Sequence, residues 1–151
     1  MHLTQHTDYA LRMLIYLGAN TERLVTIAEV SERFDVSRSH LMKVANQLVR
    51  DGFVEGLRGK GGGLRLARAA ADINIGDVVR CMERGMQLVE CFGSESQCLL
   101  TPNCRLKGVL GKALEAFLAT LDGYSLADLL DAPQRSLLQL APRGEALPLA
   151  R

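Results

Sequence analysis

The stretch that decides the fold covers residues 26–68 and reads TIAEVSERFDVSRSHLMKVANQLVRDGFVEGLRGKGGGLRLAR. It opens with Thr26 three residues before Glu29, which is the spacing of a helix-capping box. Ser37 takes the capping position before a second helical pattern, and only a short turn separates the two helices. This arrangement predicts a helix-turn-helix, with an αα-hairpin inside a core as the alternative.

The pattern then changes from helical to alternating. Residues 52–58 and 64–68 alternate like strands, and a glycine-rich run at 59–63 joins them. A hairpin at this place predicts the wing of a winged helix, in which Arg58 and Lys60 neutralise phosphates. The glycine-rich run does not fit a nucleotide-binding loop, because it joins strand to strand and no Gly-Lys-Ser/Thr follows.

Basic charge is concentrated in the same part of the chain. Residues 37–68 contain seven basic and two acidic residues, a net charge of +5, whereas the 151-residue chain totals +1. A basic segment in a nearly neutral protein predicts a DNA-contacting face, with a solvated surface as the alternative. The first residues of the second helix are those that read bases in a helix-turn-helix. The expected DNA contacts are Ser37, Arg38, Ser39, His40, Lys43, Arg58 and Lys60.

Helical patterns also cover residues 3–18, 75–86 and 105–121. Thr4 or Thr7 is the expected cap of the first. The last has an apolar stripe wider than one small head domain requires, which predicts a dimer interface. Packing within one subunit is the alternative and could account for about half of the stripe. The predicted fold class is mainly α with a small β-hairpin wing.

The chain is expected to have three regions. A winged helix-turn-helix head covers residues 1–70, a cysteine loop with a dimerisation helix covers 71–131, and an extended tail covers 132–151. The composition, 48% hydrophobic and 23% charged, is typical of a globular protein.

No stretch approaches the roughly 20 apolar residues of a membrane helix, and the first residues lack a secretory-signal pattern. We therefore expect a cytoplasmic protein with reduced thiols. We do not expect an enzyme, because no Ser-His-Asp set or phosphate-binding loop is present.

Three of the four cysteines lie within fourteen residues, as Cys91, Cys98 and Cys104 with the spacing Cys-x6-Cys-x5-Cys. The small and charged residues of this loop, with Pro102, oppose a chance cluster of buried thiols. Reducing conditions disfavour a stable disulfide. Structural zinc usually takes four local ligands in tighter pairs, whereas an iron–sulfur cluster tolerates a looser loop. An iron–sulfur cluster is therefore favoured, and zinc and a transient redox disulfide stay open.

A cluster with three cysteines needs a fourth ligand of another kind, or an open iron. Either makes the cluster labile, which suits a sensor better than an electron carrier. Cys81 lies ten residues before the loop and is expected to be a half-buried thiol rather than a ligand.

Together these motifs resemble the Rrf2 family of winged-helix regulators over about residues 1–130. The resemblance rests on Thr7-Asp8-Tyr9-Ala10-Leu11-Arg12, on the helix at 36–44, on the glycine-rich wing and on the three-cysteine loop. Within the family, the chain is most similar to the nitric-oxide-sensing repressors, through the segments 104–107 and 124–129.

The resemblance implies a homodimer on a palindromic operator in double-stranded DNA, and nitric oxide as the signal. It implies a [4Fe-4S] cluster, with [2Fe-2S] possible, held by Cys91, Cys98 and Cys104 and by Asp8 of the partner subunit. His6 or an exogenous ligand is the alternative for the fourth position. A sibling branch carries a histidine three residues after the third cysteine, where this chain has Lys107, which cannot ligate while protonated.

Two alternative functions remain open. One is a regulator of the same family that responds to iron–sulfur cluster supply or redox state. The other is a zinc-stabilised or thiol-switch DNA-binding module.

Overall fold

The computed structural model describes residues 2–83, 85–94, 96–100 and 103–139. Its regular structure consists of α-helices and one antiparallel two-stranded hairpin, which confirms the predicted fold class. The elements are α1 (Gln5–Ala19), α2 (Ile27–Phe34), α3 (Arg38–Arg50), β1 (Val54–Leu57), β2 (Gly63–Leu66), α4 (Ile75–Met82), α5 (Arg105–Asp122) and α6 (Ala132–Gln139). Within these residues, no helix is long and apolar enough to cross a membrane.

Hydroxyl caps start the first three helices at positions that the sequence indicated. The side chain of Thr4 accepts from the third residue beyond it, and Thr26 and Ser37 do the same for α2 and α3. Each cap satisfies one of the backbone N–H groups that a helix start leaves without a partner. The start of each of these helices is therefore determined by residues close together in the sequence.

Glu29 does not complete the predicted capping box. Its carboxylate instead accepts a 2.7 Å hydrogen bond from the Tyr16 hydroxyl and pairs with the Arg23 guanidinium. The hydrogen bond from Arg23 holds the pKa of Glu29 below its usual value, whereas burial and the bond to Glu29 raise the pKa of Tyr16. These contacts tie the end of α1 to the start of α2.

The core is built around α1. Ala10, Met13 and Leu14 are fully buried, and α1 contacts α3, α4, α6 and β2. The same core includes Val78 from α4 and Leu126 from the segment after α5. The part of the chain beyond residue 70 therefore shares one core with the helix-turn-helix.

The wing is fixed to the head through β2 and shaped by glycines at its tip. Val25 forms a β-bridge to Leu64, with N···O distances of 2.7 and 3.0 Å in the two directions. At the tip, Gly59 and Gly61 have φ values of 101° and 78°, a region in which side chains other than glycine are strained. A Cβ on Gly62 would lie 2.2 Å from a backbone oxygen. The predicted hairpin therefore forms and depends on its glycines.

The predicted helix at 75–86 is shorter than expected. It ends at Met82, and the following residue, Glu83, turns its side chain toward α1. Gly85 then adopts a φ of 77°, which breaks the helical path. Val49, near the end of α3, is 42% exposed.

The expectation of an extended tail from residue 132 is wrong for its first eight residues. Ala132–Gln139 form α6, which is capped by Asp131 through a 2.9 Å hydrogen bond from the N–H of Gln134. Gln139 donates a 2.8 Å hydrogen bond to the carbonyl of Ala19 at the end of α1. This contact, together with Leu138 packed against the core, joins α6 to α1, which no local pattern indicated. Residues 140–151 lie outside the described residues.

Candidate nucleic-acid interface and cysteine loop

Helix α3 buries one side and exposes the other. Leu41, Val44 and Leu48 are in the core. The exposed positions of the helix follow at helical spacing and are mostly polar, as expected of a helix that lies in a groove. They are Arg38, Ser39, Met42, Lys43, Asn46, Val49 and Arg50.

His40 differs from the other predicted DNA contacts because it is only partly exposed. Its ring meets the edge of the Tyr9 ring at 4.9 Å between centroids and stacks beside His6 at 6.1 Å. His40 therefore connects the start of α3 to α1, in addition to any contact with DNA.

A second connection joins three helices through Gln47, a buried polar side chain. Its Oε1 lies 2.9 Å from Nε2 of His6, and its Nε2 donates a 2.8 Å hydrogen bond to the carbonyl of Cys81. Gln47 therefore links α3 to both α1 and α4 through its side chain.

The wing presents its two predicted phosphate contacts at an exposed tip. Arg58 and Lys60 are both exposed. The other basic residues of this region have internal partners, because Arg65 pairs with Glu55 at 2.8 Å and Arg68 donates to the carbonyl of Gly52. The positive charge that the sequence placed here is thus divided between the tip and the base of the hairpin.

The cysteine loop holds three free thiols in different surroundings. Cys91 lies in a short 3-10 turn and is partly buried, Cys98 is exposed, and Cys104 is the N-cap of α5. The Sγ of Cys104 accepts a 3.4 Å hydrogen bond from the backbone N–H of Lys107. This contact places the sulfur of Cys104, a soft metal ligand, at the start of α5.

The donor set fits an iron–sulfur centre in its chemistry. Three free thiols in one loop are the soft ligands that such centres require. Over the described parts of the chain, however, no three His, Cys, Asp or Glu side chains are gathered closely enough to hold a metal ion. The described part of the loop therefore supplies ligands of the right kind but does not bring three of them together.

Asp8, the expected fourth ligand of the cluster in the partner subunit, lies in the first turn of α1. Its carboxylate accepts from the guanidinium of Arg12 at 2.7 and 3.0 Å. Both side chains are close to half exposed, and exposed pairs of this kind are worth up to about 1 kcal/mol. The pair is weak enough for a metal centre to displace Arg12.

Cys81 is exposed rather than half-buried as expected. Partial burial, together with the charges of Asp51 and Asp77, raises the pKa of its thiol. A raised pKa disfavours the thiolate form that binds metals, so the expectation that Cys81 is not a ligand stays a prediction.

No pattern in the sequence indicated the contacts made by Glu83, which lies between α4 and the cysteine loop. Its Oε1 accepts hydrogen bonds from the N–H and hydroxyl of Thr4, at 2.6 and 2.9 Å, and from the hydroxyl of Thr7 at 2.6 Å. Burial would raise the pKa of Glu83, but the hydrogen bonds from both threonines outweigh it and hold the pKa below its usual value. Because these partners are far apart in the chain, no local pattern could have revealed them.

Comparison with known proteins gives related chains over almost the whole length. The Rrf2 family profile, described as an iron-dependent transcriptional regulator, matches residues 3–132. The HTH-type transcriptional regulator NsrR of Geobacillus kaustophilus is 48% identical over 143 residues, covering 92% of this chain and 97% of the relative. The regulator of the same name from Bacillus licheniformis is 48% identical over 132 residues, covering 86% and 92%.

Solved structures share the fold. T. potens IscR has a TM-score of 0.71 at 26% identity over 93% of both chains. The oxidized form of Staphylococcus aureus CymR has a TM-score of 0.70 at 23% identity, over 87% of this chain and 97% of the other. At 23% identity, the similarity to CymR supports the fold alone.

Proposed function

The chain belongs to the Rrf2 family of transcriptional regulators, and from this premise we propose that it is a DNA-binding repressor that senses nitric oxide through an iron–sulfur cluster. Family membership confirms the resemblance seen in the sequence and the expectation that the protein is not an enzyme. The proposed location is the cytoplasm, where thiols stay reduced.

The observation that carries the proposal is the position of the three-thiol loop. Cys91, Cys98 and Cys104 lie between the end of α4, which is bonded to the start of α1 through Glu83, and the start of α5. A change at the thiols therefore has a short path to α1, and α1 contacts α3. A sensor needs this kind of physical connection between signal and DNA-contacting helix.

The proposed DNA contacts follow from exposure and position. Ser37, Arg38, Ser39, His40 and Lys43 at the start of α3 would enter the major groove, and Arg58 and Lys60 of the wing would contact phosphates. The exposed tip and the polar side of α3 support this assignment.

We propose that two copies pair through α5 and bind a palindromic operator. An exposed apolar stripe runs along α5 at helical spacing, and two of its members, Leu106 and Val109, are 64% and 62% exposed. Ala113 and Ala116 continue it. A second copy would cover this stripe, and the two-fold symmetry of the dimer would match two half-sites.

Cys91, Cys98 and Cys104 would hold the cluster, proposed as [4Fe-4S] with [2Fe-2S] as the alternative. The fourth ligand would be Asp8 of the partner subunit. When bound, the cluster supplies iron that reacts with nitric oxide. A carboxylate released from that position can return to Arg12, which lies on the same face of α1.

The chain itself offers the path from α1 to DNA. His6 contacts Gln47, and Tyr9 contacts His40, so both connections run from the first two turns of α1 into α3. A 100-fold loss of DNA affinity needs about 2.7 kcal/mol of coupling, which is within the range of ordinary allostery. Displacing these two contacts is enough to account for a coupling free energy of this size.

The test combines metal analysis with DNA binding. Protein purified anaerobically is analysed for iron, sulfide and zinc, its optical spectrum is recorded, and it is titrated with nitric oxide in a DNA-shift assay. We expect iron and sulfide, and loss of DNA binding as the spectrum bleaches. Unchanged DNA binding after full bleaching would contradict the proposal.

Two variants make the test specific. Cys98→Ser should lose the iron, whereas the matched control Cys81→Ser should retain it, because only Cys98 lies in the proposed ligand set. Equal iron content in both variants would contradict the ligand assignment.

The same measurements decide between this proposal and a second candidate. Four free cysteines, two of them exposed, favour a thiol switch or a zinc-stabilised module. Colourless protein with zinc, or with no metal and a reversible response to oxidant, would support it. A cluster that responds to oxidant or iron supply but not to nitric oxide would indicate the alternative signal within the family.

A further inference from the structure

Exposed large hydrophobic side chains in the head are restricted to one surface. Residues 2–83 are all described, and within them Met42, Val49 and Leu57 are 54%, 42% and 41% exposed. All three belong to α3 or the wing, the two elements that form the proposed DNA interface. Elsewhere in residues 2–83, large apolar side chains are buried or partly buried.

Met42 occupies a central place on the exposed side of α3. It lies one turn after Arg38 and Ser39 and one turn before Asn46, which are exposed polar residues. Because more than half of its surface is open to solvent, its thioether contributes little to the core. Packing of the core therefore does not account for a methionine here, and its side chain is available to whatever α3 contacts.

The major groove offers one apolar group that is specific to a base, the 5-methyl group of thymine. An unbranched and flexible side chain such as methionine adapts well to a small apolar partner of this kind. The neighbouring polar positions would read base edges or phosphates, which leaves Met42 as the apolar reader among them.

We propose that Met42 is a specificity-determining residue that contacts the 5-methyl group of a thymine in each half of the operator. This inference rests on the proposed function as a DNA-binding regulator. It adds a base-reading residue that differs in kind from the hydrogen-bonding and charged contacts assigned above.

Val49 provides a matched control on the same helix. It is also apolar and exposed, but it lies seven residues further along, about 10 Å along the helix axis. One of its methyl groups lies 3.9 Å from the position that a Cβ on Gly56 would take, so it packs beside the base of the wing. Truncating Val49 removes similar exposed apolar surface without changing the start of α3.

The experiment begins by selecting a binding sequence from random duplexes with the full-length protein purified anaerobically. Each thymine of the selected sequence is then replaced singly by deoxyuridine, which removes only the 5-methyl group. For the unmodified protein, we expect one position in each half-site to lose about fourfold in affinity, as for one buried methyl-sized group.

Three variants are compared on the same series of duplexes. M42A should lose sensitivity to deoxyuridine at that position, M42L should keep it, and V49A should behave like the unmodified protein. The folded state of each variant is checked by its thermal unfolding. Unfolding should be little changed for the Met42 variants, because Met42 is exposed, whereas V49A is required only to remain folded, because Val49 packs beside the wing.

The outcomes separate the inference from the function on which it rests. An M42A profile identical to that of the unmodified protein overturns the role of Met42 and leaves the DNA-binding function intact. Equal losses in M42A and V49A also overturn it, because the effect would not depend on position. Failure to enrich any sequence contradicts the proposed function itself.

Discussion

Helices α1 and α5 have similar lengths and opposite surroundings. The 15 residues of α1 include eight buried positions, whereas the 18 residues of α5 include none. Both sequences carry an apolar stripe, so amphipathicity alone does not separate them. The difference shows that a single chain buries the apolar side of α1 but leaves much of the apolar side of α5 exposed. We call α1 the buried helix and α5 the exposed helix. The cysteine loop leads directly into α5.

The apolar surface of α5 divides into two stripes. One is partly buried within the chain, where α5 contacts α4. The other is exposed and includes Leu106 and Val109. The sequence-based expectation that packing within one subunit could use about half of the stripe agrees with this division, and the exposed half is the surface proposed for dimerisation.

The largest expected effect comes from truncating a buried side chain of α1. Leu14 is fully buried in α1, so Leu14→Ala should lower the free energy of unfolding by about 3 kcal/mol, from lost apolar burial and the cavity left behind. Urea denaturation followed by circular dichroism measures this. The exposed control Met42→Ala should change stability by less than about 0.5 kcal/mol. A loss below about 1 kcal/mol for Leu14→Ala would mean that α1 is not the centre of the core.

The second prediction concerns the exposed apolar stripe of α5. Val109→Asp should raise the dimer dissociation constant about 100-fold or more, because the new carboxylate would be buried without a partner in the dimer. Sedimentation equilibrium measures the constant. The control Leu137→Asp changes another exposed apolar residue, on α6, and should leave it unchanged. Equal dissociation in both variants would show that α5 is not the specific interface.

The contrast between the two helices also explains how far the sequence could predict the structure. The caps at Thr26 and Ser37 act on N–H groups three residues away, so the helix-turn-helix and its boundaries followed from local pattern. The wing followed from its glycines. The predicted candidate residues of α3 and the wing are placed on exposed or partly exposed surface by the structure.

What the sequence missed depended on partners distant in the chain. Helix α6 contacts the end of α1, with Gln139 bonded to Ala19. The early end of α4 accompanies the contacts of Glu83 with Thr4 and Thr7. The cysteine site was indicated only as a set of ligands, and the described residues do not bring three of them together. Local patterns identify which groups are available, and long-range contacts decide where they lie.

The third prediction tests the connection between α1 and the segment before the cysteines. Glu83→Gln should lower the free energy of unfolding at neutral pH by about 1 kcal/mol, because hydrogen bonds to a charged acceptor are stronger than those to an amide and this site is partly exposed. Chemical denaturation measures the loss. Glu22→Gln, at an exposed position in the α1–α2 connection, is the control and should be neutral.

The pH dependence of that loss has a definite sign. The pKa of Glu83 is lower in the folded protein than its usual value, so its stabilising effect is present above the unfolded pKa of about 4.3. It is lost as the pH falls through the folded pKa. The difference between the original protein and Glu83→Gln should therefore shrink in this acidic range. A difference that stays constant down to full protonation would show that the charge of Glu83 does not hold α1.

The smallest expected effect concerns Asp8 and Arg12, the pair on the exposed side of α1. Their side chains are 44% and 46% exposed and lie four residues apart, so a double-mutant cycle with Asp8→Asn and Arg12→Ala should give a coupling energy of about 0.3–0.5 kcal/mol. Raising the salt to about 0.5 M should reduce it further. Stability is measured by chemical denaturation of the metal-free protein, so that the cycle reports the ion pair alone.

The weakness of this pair is what the proposed ligand role requires. If Asp8 is to complete a metal site in the partner subunit, its carboxylate must separate from Arg12 at a small cost in free energy. Helix α1 must also remain folded when the pair separates. A coupling energy above about 1.5 kcal/mol would mean that Arg12 competes strongly for the carboxylate. Asp8 would then belong to the internal structure of α1, and the fourth ligand of the site would have to come from another group.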